Sequence, residues 1–400
     1  MSILYLRSKK MNVKALKLKD SHYPDFHSTV DPDWDYRHFF ETEAGRDYHE
    51  NWISFDGVLA DDTRNVIWCG VATFSGDIFH CFDRETRTFR SLDFQSVGDR
   101  YDAKFHRALL YDRDGIIWAA TAMLHDSVQY FDAPGGAIVR FDPETETIEM
   151  VDRPLPNLYI QSLVADRERG ILYGQTYLHD YLFRFDIDTR ETRVLAHLGV
   201  NLFRGGLTQA ENIAVDRNGT LWGAWAPNRA WGHSAGRHPY RLFRYHPDDD
   251  AVQFLDATLP PAPGSAGESG MMDSTVTGPD GAVYASTRDG MFCRIDPDRG
   301  EVETIAQPGS AKLRRLSAMI SDGESRIFGI AGKGGEAELF SYEVGSGAVT
   351  VHGRVYDPEI DVNAWQIHDL ALCDDGTLYA GENDVPLRSS YLWEISGLSL

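Results

Sequence analysis

Short apolar runs in which every second position is polar, punctuated by Gly, Asp and Asn, recur from one end of the chain to the other, and a period of two predicts strands. Seven of these runs carry an aliphatic residue followed by an aromatic one: Ile67-Trp68, Ile117-Trp118, Leu172-Tyr173, Leu221-Trp222, Val283-Tyr284, Ile327-Phe328 and Leu378-Tyr379. Successive aromatics stand 50, 55, 49, 62, 44 and 51 residues apart. Turn residues precede most of them, as in Asp114-Gly115, Asn218-Gly219, Asp280-Gly281 and Asp375-Gly376, where Gly supplies the positive φ of a tight hairpin. Each pair is therefore expected in the second strand of a unit. A third strand follows each time, as at 138–141, 182–185 and 242–245, and a turn such as Asp142-Pro143-Glu144-Thr145 leads to a weaker fourth, as at 302–305.

Four strands per unit of about fifty residues predict an all-β chain, a single seven-bladed β-propeller domain of four-stranded antiparallel blades over residues 1–400. The seventh unit stops after its third strand. Residues 12–18, in which apolar and polar positions partly alternate, are expected to supply the missing strand and close the ring. Two packed sandwiches are the alternative, and they leave seven similar units unexplained.

With 42% hydrophobic and 25% charged residues the chain is able to bury a large core, which sets aside a disordered or fibrous chain. A formal charge of −22 opposes nucleic acid as a partner, because phosphate binding needs a basic surface, and it disfavours an anionic membrane. No stretch is long and apolar enough to span a bilayer as a helix. The apolar run near the start precedes Arg7, Lys9 and Lys10, the reverse of a secretory signal, so a cytoplasmic protein is expected, with Met11 as a second possible start. Cys69, Cys81, Cys293 and Cys373 form no CxxC pair and read as buried free thiols.

In a propeller, the loops entering each first strand and those joining second to third strands open on one end. They are the expected place for chemistry. The entry loops are expected to bring Asn51, Trp52, Lys104, His106, Tyr159, Gln161, Arg204, Asn212, Asp273, Arg314, Arg315, Gln366 and His368, and the second set His125, Tyr177, His179, the stretch 225–241, Arg288, Lys333 and the stretch 382–388. A histidine at a strand entry is more often a hydrogen-bonded structural residue than a catalytic one, and Tyr177 reads equally as a packing aromatic. The charge distribution favours a site. Between Arg217 and Pro247 there is no Asp or Glu, although the chain has 61, and the window holds Arg229, Arg237, Arg241, Arg244, His233, His238 and His246 with Trp225 and Trp231. Guanidinium forks suit carboxylate or sulfate, and flat indoles suit a sugar ring, so an anionic oligosaccharide is the expected partner. The bland alternative is that these arginines, notably Arg244 inside a strand, pair with acidic neighbours.

The run Lys104-Phe105-His106, Asp114-Gly115, His125, Gly135-Gly136, Tyr159-Ile160-Gln161-Ser162 and Leu172-Tyr173-Gly174-Gln175-Thr176-Tyr177 resembles the seven-bladed propeller polysaccharide lyases, those of the ulvan lyase and rhamnose-glucuronate lyase type above all, with oligogalacturonate lyase more distant. The resemblance covers roughly residues 100–200. It implies a carbon-oxygen lyase that cleaves a uronic-acid-containing glycan by β-elimination. His106 and His125 then look like the paired histidines of those lyases, Tyr177 like their base or acid, and Arg204 like the carboxylate clamp. Lys104, Gln161, His179, Trp225, Arg229, Trp231, His233, Arg237, His238, Arg288, Gln366 and His368 are the expected substrate contacts. No cofactor is required by this chemistry, but the oligogalacturonate lyase likeness leaves open a divalent metal ion held by Gln366 and His368 with His233 or His238. An α-L-rhamnosidase-like hydrolase, a metal-centred lactonase or streptogramin-lyase-like propeller and a carbohydrate-binding propeller without turnover are the competing readings.

Overall fold

The computed structural model describes residues 5–7, 11–23, 41–123, 132–177, 179–200, 213–226, 240–264, 270–312 and 314–398. The chain divides into two compact units. One comprises Asn12–Ile160 and Tyr356–Ser396, the other Met1–Met11, Gln161–Val355 and Gly397–Leu400.

The first unit is built on three antiparallel four-stranded sets. Ile53–Asp61, Val66–Thr73, Phe79–Asp83 and Thr88–Ser91 form one. Asp102–Tyr111, Ile117–Met123, Ile138–Asp142 and Thr147–Asp152 form the next, joined to the first through the single bridge Ala72↔Lys104. The last takes Ile367–Leu372, Leu378–Glu382 and Leu392–Ser396 from the end of the chain and Asn12–Leu16 from its beginning, with Asn12 opposite Ser396 and Leu16 opposite Leu392. The N-terminal segment therefore completes the last sheet, as its alternation predicts.

The other unit repeats the scheme in sheets spanning 159–200, 214–254, 272–306 and 316–354, the first of these strands beginning just before the unit boundary. All seven aliphatic–aromatic pairs lie in the second strands they predict. Among the described residues, a short 3-10 turn at Phe94–Ser96 and three further elements were not predicted. A helix, Glu43–Asn51, is capped by Thr42, whose hydroxyl accepts from the Gly45 N–H at 2.9 Å. A small hairpin pairs Tyr356–Asp357 with Val362–Asn363. Tyr5–Arg7 runs parallel to Ala348–Arg354 as a fifth strand.

The repeated aromatic has a local reason as well as a packing one. Asp112 accepts the backbone N–H groups of Asp114 (2.8 Å) and Ile116 (3.0 Å) on one oxygen and the Trp118 indole N–H (2.8 Å) on the other, and Gly115 takes φ 80° in the turn between. Asp216 does the same for Asn218, Thr220 and Trp222. Such a turn closes the hairpin and buries the ring with its one polar atom satisfied. The rings then fill the space between successive sheets. In the first unit Phe79 meets Phe105 and Phe141 edge-on, with centroids 5.3 and 5.0 Å apart, and Trp68 meets Phe141 at 5.1 Å. Phe55, Ile67, Phe82, Tyr379 and Leu392 do the same between the set beginning at Ile53 and the last sheet. The four cysteines are free and buried. No helix among the described residues is long and apolar enough to cross a membrane.

Candidate functional site

The first strands of the three four-stranded sets in the unit that begins at Asn12 each break register at the same kind of place, Asp102–Tyr111 doing so a second time between Asp102 and Lys104. Phe55 faces Val71 and Gly57 faces Gly70, leaving Asp56 as the extra residue. Phe105 faces Thr121 and Leu109 faces Ala119, so that residues 106–108 bulge, with Arg107 in the left-handed region at φ 44°. Ile367 faces Glu382 and Asp369 faces Gly381, leaving His368. A bulge re-aims a side chain out of the strand's alternation. Here the three re-aimed residues are Asp56, His106 and His368, and they meet.

The potential ligand atoms of these three lie within 4.8 Å of one another. The imidazoles of His106 and His368 pack edge to face with centroids 4.6 Å apart, and His368 Nδ1 lies 3.6 Å from Asp56 Oδ1. The same Asp56 oxygen accepts the Asn383 amide N–H at 2.6 Å and the Ser54 hydroxyl at 3.2 Å, while Lys104 Nζ stands 3.7 Å from Oδ2. Gln366 Nε2 donates to Asn383 Oδ1 at 3.0 Å, which fixes the amide. Asp56, His106 and His368 are 1%, 4% and 3% exposed. Lys104 is half-buried, with its ammonium 5.8 Å from the centre of the Tyr159 ring. Burial alone would push the Asp56 carboxyl up, but the Lys104 ammonium first, then His368 and His106, outweigh it and hold the group well below the usual carboxylate range. Beside it, burial pushes the Asp369 carboxyl up to about 6, against two backbone N–H groups, of Val58 and Leu370, that it accepts at 2.9 Å.

Of the predicted site residues, Lys104, His106, Gln366 and His368 are thus brought together. They lie in strands or at a strand's start rather than in open entry loops, and His106 is buried instead of standing at a solvent-reached rim. Asn383 comes from the predicted stretch 382–388, whereas Asp56 was not predicted. The only sequence signal for Asp56 is a carboxylate interrupting the apolar run 53–59, which reads equally as a turn residue before Gly57.

Gln161, Tyr177, His179, Trp225 and Arg288 belong to the other unit. There Gln161 is buried, Tyr177 half-buried and His179 exposed. Trp225 donates its indole N–H to the Leu255 carbonyl at 3.2 Å and packs against Phe254, and Arg288 Nη1 lies 3.8 Å from the Met271 sulfur. Within the arginine-rich window, Arg217 pairs with Asp298 at 2.7 Å, Arg241 with Asp256, and Arg244 with the Gln253 side chain at 2.8 Å. Arg217 and Arg241 thus pair with acidic neighbours, as the bland alternative has it, whereas Arg244 meets a neutral amide. His125, Arg204, Arg229, Trp231, His233, Arg237 and His238 lie outside the described residues.

The unit beginning at Asn12 also has a cavity of about 260 Å³, lined in part by Thr73, Phe74, Phe94, Arg100 and Asp102. Its two carboxylates are committed, since Asp102 takes two guanidinium contacts from Arg153, at 2.7 and 3.1 Å, and the Thr121 hydroxyl at 2.7 Å, and Asp99 accepts the Tyr101 backbone N–H at 3.0 Å.

No protein-family model and no curated protein matches the chain. Solved structures do. The WD40 repeats of RRP9 superpose with a TM-score of 0.58 at 9% identity, over 98% of this chain and 99% of that one. The β-propeller domain of Cps50 (Swd1) from Myceliophteria thermophila gives 0.54 at 12% identity, over 86% and 96%. The fold is a β-propeller. The extracellular domain of BT4673, assigned to a hybrid two-component system of B. thetaiotaomicron, gives 0.55 at 17% identity, over 87% of this chain and 41% of that one. This propeller therefore spans about two fifths of that structure, and 39% of its counterpart BT3049. At these identities the likeness carries the fold and no activity.

Proposed function

We propose that this propeller is an enzyme that cleaves a uronic-acid-containing glycan by β-elimination, with the cluster around His106 as its centre. The observation that carries the reading is the meeting of Lys104, His106 and His368 around Asp56. The substrate class comes from the resemblance over residues 100–200. In that reaction the C5–H bond breaks, its electron pair forms the C4–C5 double bond, and the C4–O bond releases the leaving sugar. A cation beside the uronate carboxylate lowers the cost of the carbanion, a base takes the C5 proton and an acid protonates the leaving oxygen. Lys104 supplies a cation, and His106 an imidazole, the kind of side chain suited to proton transfer near neutrality. Asp56 and Asn383 hold His368 in place, and the Tyr159 ring offers an apolar face beside Lys104. Since both histidines are nearly withdrawn from water, catalysis requires a side-chain movement that uncovers one imidazole edge to a saccharide approaching along Lys104.

The test is a panel of uronic-acid oligosaccharides, followed by ultraviolet absorbance and by mass. Unsaturated products are expected from the wild type, with His106→Ala lowering kcat/KM by about a hundredfold or more; its unfolding midpoint is measured alongside, because removing a buried ring also costs stability. New reducing ends without the chromophore would replace the reading by a hydrolase. Saturable binding without products would replace it by a binding protein.

A further inference from the structure

We infer that Asp56, His106 and His368 form a binding site for a divalent first-row transition metal ion. The inference goes beyond the glycan reading and does not depend on it.

Three observations point the same way. Each ligand comes from the first strand of a different four-stranded set, and each is turned out of its strand by a bulge, so three separate backbone irregularities converge on one point. Second, the distances are those of an ion site relaxed by a small amount. Two ligand atoms on one ion at about 2.0–2.1 Å stand roughly 3–3.5 Å apart, and His368 Nδ1 and Asp56 Oδ1 are already at 3.6 Å, with all three residues within 4.8 Å. Third, the ligating carboxylate has the outer support that metal sites use: Asn383 and Ser54 donate to it, and Gln366 in turn holds the Asn383 amide.

The donor set fixes the class of ion. Two imidazole nitrogens and one carboxylate oxygen suit Zn²⁺, Fe²⁺ or Co²⁺ rather than Ca²⁺ or Mg²⁺, which prefer all-oxygen shells. Three protein ligands leave coordination positions open. Lys104 sets the affinity. Its ammonium stands 3.7 Å from Asp56 Oδ2, the oxygen not shared with Asn383, so in the ion-free protein it answers the buried carboxylate, and an entering dication must work against that charge.

The experiment uses the full chain freed of metal by chelation and dialysis, titrated with Zn²⁺ by calorimetry and with Co²⁺ by its visible d–d absorption. One saturable site is expected, with Co²⁺ bands of low coordination number. Asp56→Asn, His106→Ala and His368→Ala should each weaken Zn²⁺ binding by about tenfold or more. Lys104→Met should tighten it, by about tenfold, an effect that misfolding cannot imitate. Absence of saturable binding, or equal affinity in the wild type and all four variants, would overturn the inference, the latter by moving the ion to the acidic surface. Uronide turnover that persists without any ion binding sinks this site alone. Ion binding without turnover of any uronide sinks the lyase reading alone.

Discussion

A carboxylate that is 1% exposed is costly unless its charge is answered, and at Asp56 the answer is divided, with Lys104 at one oxygen and Asn383 with Ser54 at the other. Removing the cation alone should therefore be worse than removing both charges. Lys104→Met is expected to destabilise by about 3 kcal/mol, the lower end for a broken buried pair because the lysine reaches solvent. The double variant Asp56→Asn/Lys104→Met should recover part of that loss, as urea unfolding of the four proteins of the cycle would measure. Equal losses for the single and double variants would show that Lys104 acts through packing. At this scale the sequence was half legible. Lys104, His106, Gln366 and His368 stand out as polar residues at strand entries and Asn383 in a loop, but Asp56 acquires its role from partners scattered along the chain, Lys104 and, more than three hundred residues away, Asn383 and His368. A bulge is a mismatch between two strands, and one strand's sequence does not show it.

Hairpins are where local chemistry decides most. The turn carboxylates pin the recurring aromatics, and Asp61 does so for Trp68, accepting its indole N–H at 3.2 Å along with the Arg64 backbone N–H at 3.0 Å and guanidinium at 2.9 Å. Burial would raise the Asp61 carboxyl, but the Arg64 N–H, the Tyr111 hydroxyl and the Arg64 guanidinium bring it below the usual range. A lowered folded pKa means that this stabilisation is present above the unfolded value of about 4 and is lost as pH falls through the lower folded value. Asp61→Asn should hence be less stable than wild type near neutrality, with the gap closing in acid, as urea midpoints at about pH 7 and about pH 3 would register. A gap that widens in acid would reverse the sign. Gly70 is a second element-level constraint. An added Cβ would lie 2.8 Å from the Phe105 Cβ, so Gly70→Ala should cost roughly 1–3 kcal/mol, read from thermal unfolding. Because alternation and Gly turns are local, all seven second strands were legible. The parallel pairing of Tyr5–Arg7 with Val349–Val351 was not, since nothing local selects a partner so distant.

For the whole molecule, the joint between the two ends of the chain matters most. Asn12–Leu16 covers the edge of Leu392–Ser396 through five paired positions, and an uncovered edge is a template for pairing with other chains. Deleting residues 1–16 should lower the unfolding midpoint and promote aggregation visible by light scattering, and a peptide of residues 11–18 added in trans should suppress that aggregation by taking the empty place. A deletion variant as stable and as monodisperse as wild type would show the strand to be dispensable. The same joint has a meaning for synthesis. Leu16 is made 376 residues before its partner Leu392, so at ordinary elongation rates of about 5–20 residues per second its strand waits on the order of tens of seconds for its mate. The last sheet can form only once Leu392–Ser396 has been made, so a message truncated anywhere between the two strands yields a protein whose Asn12–Leu16 strand has nothing to hold.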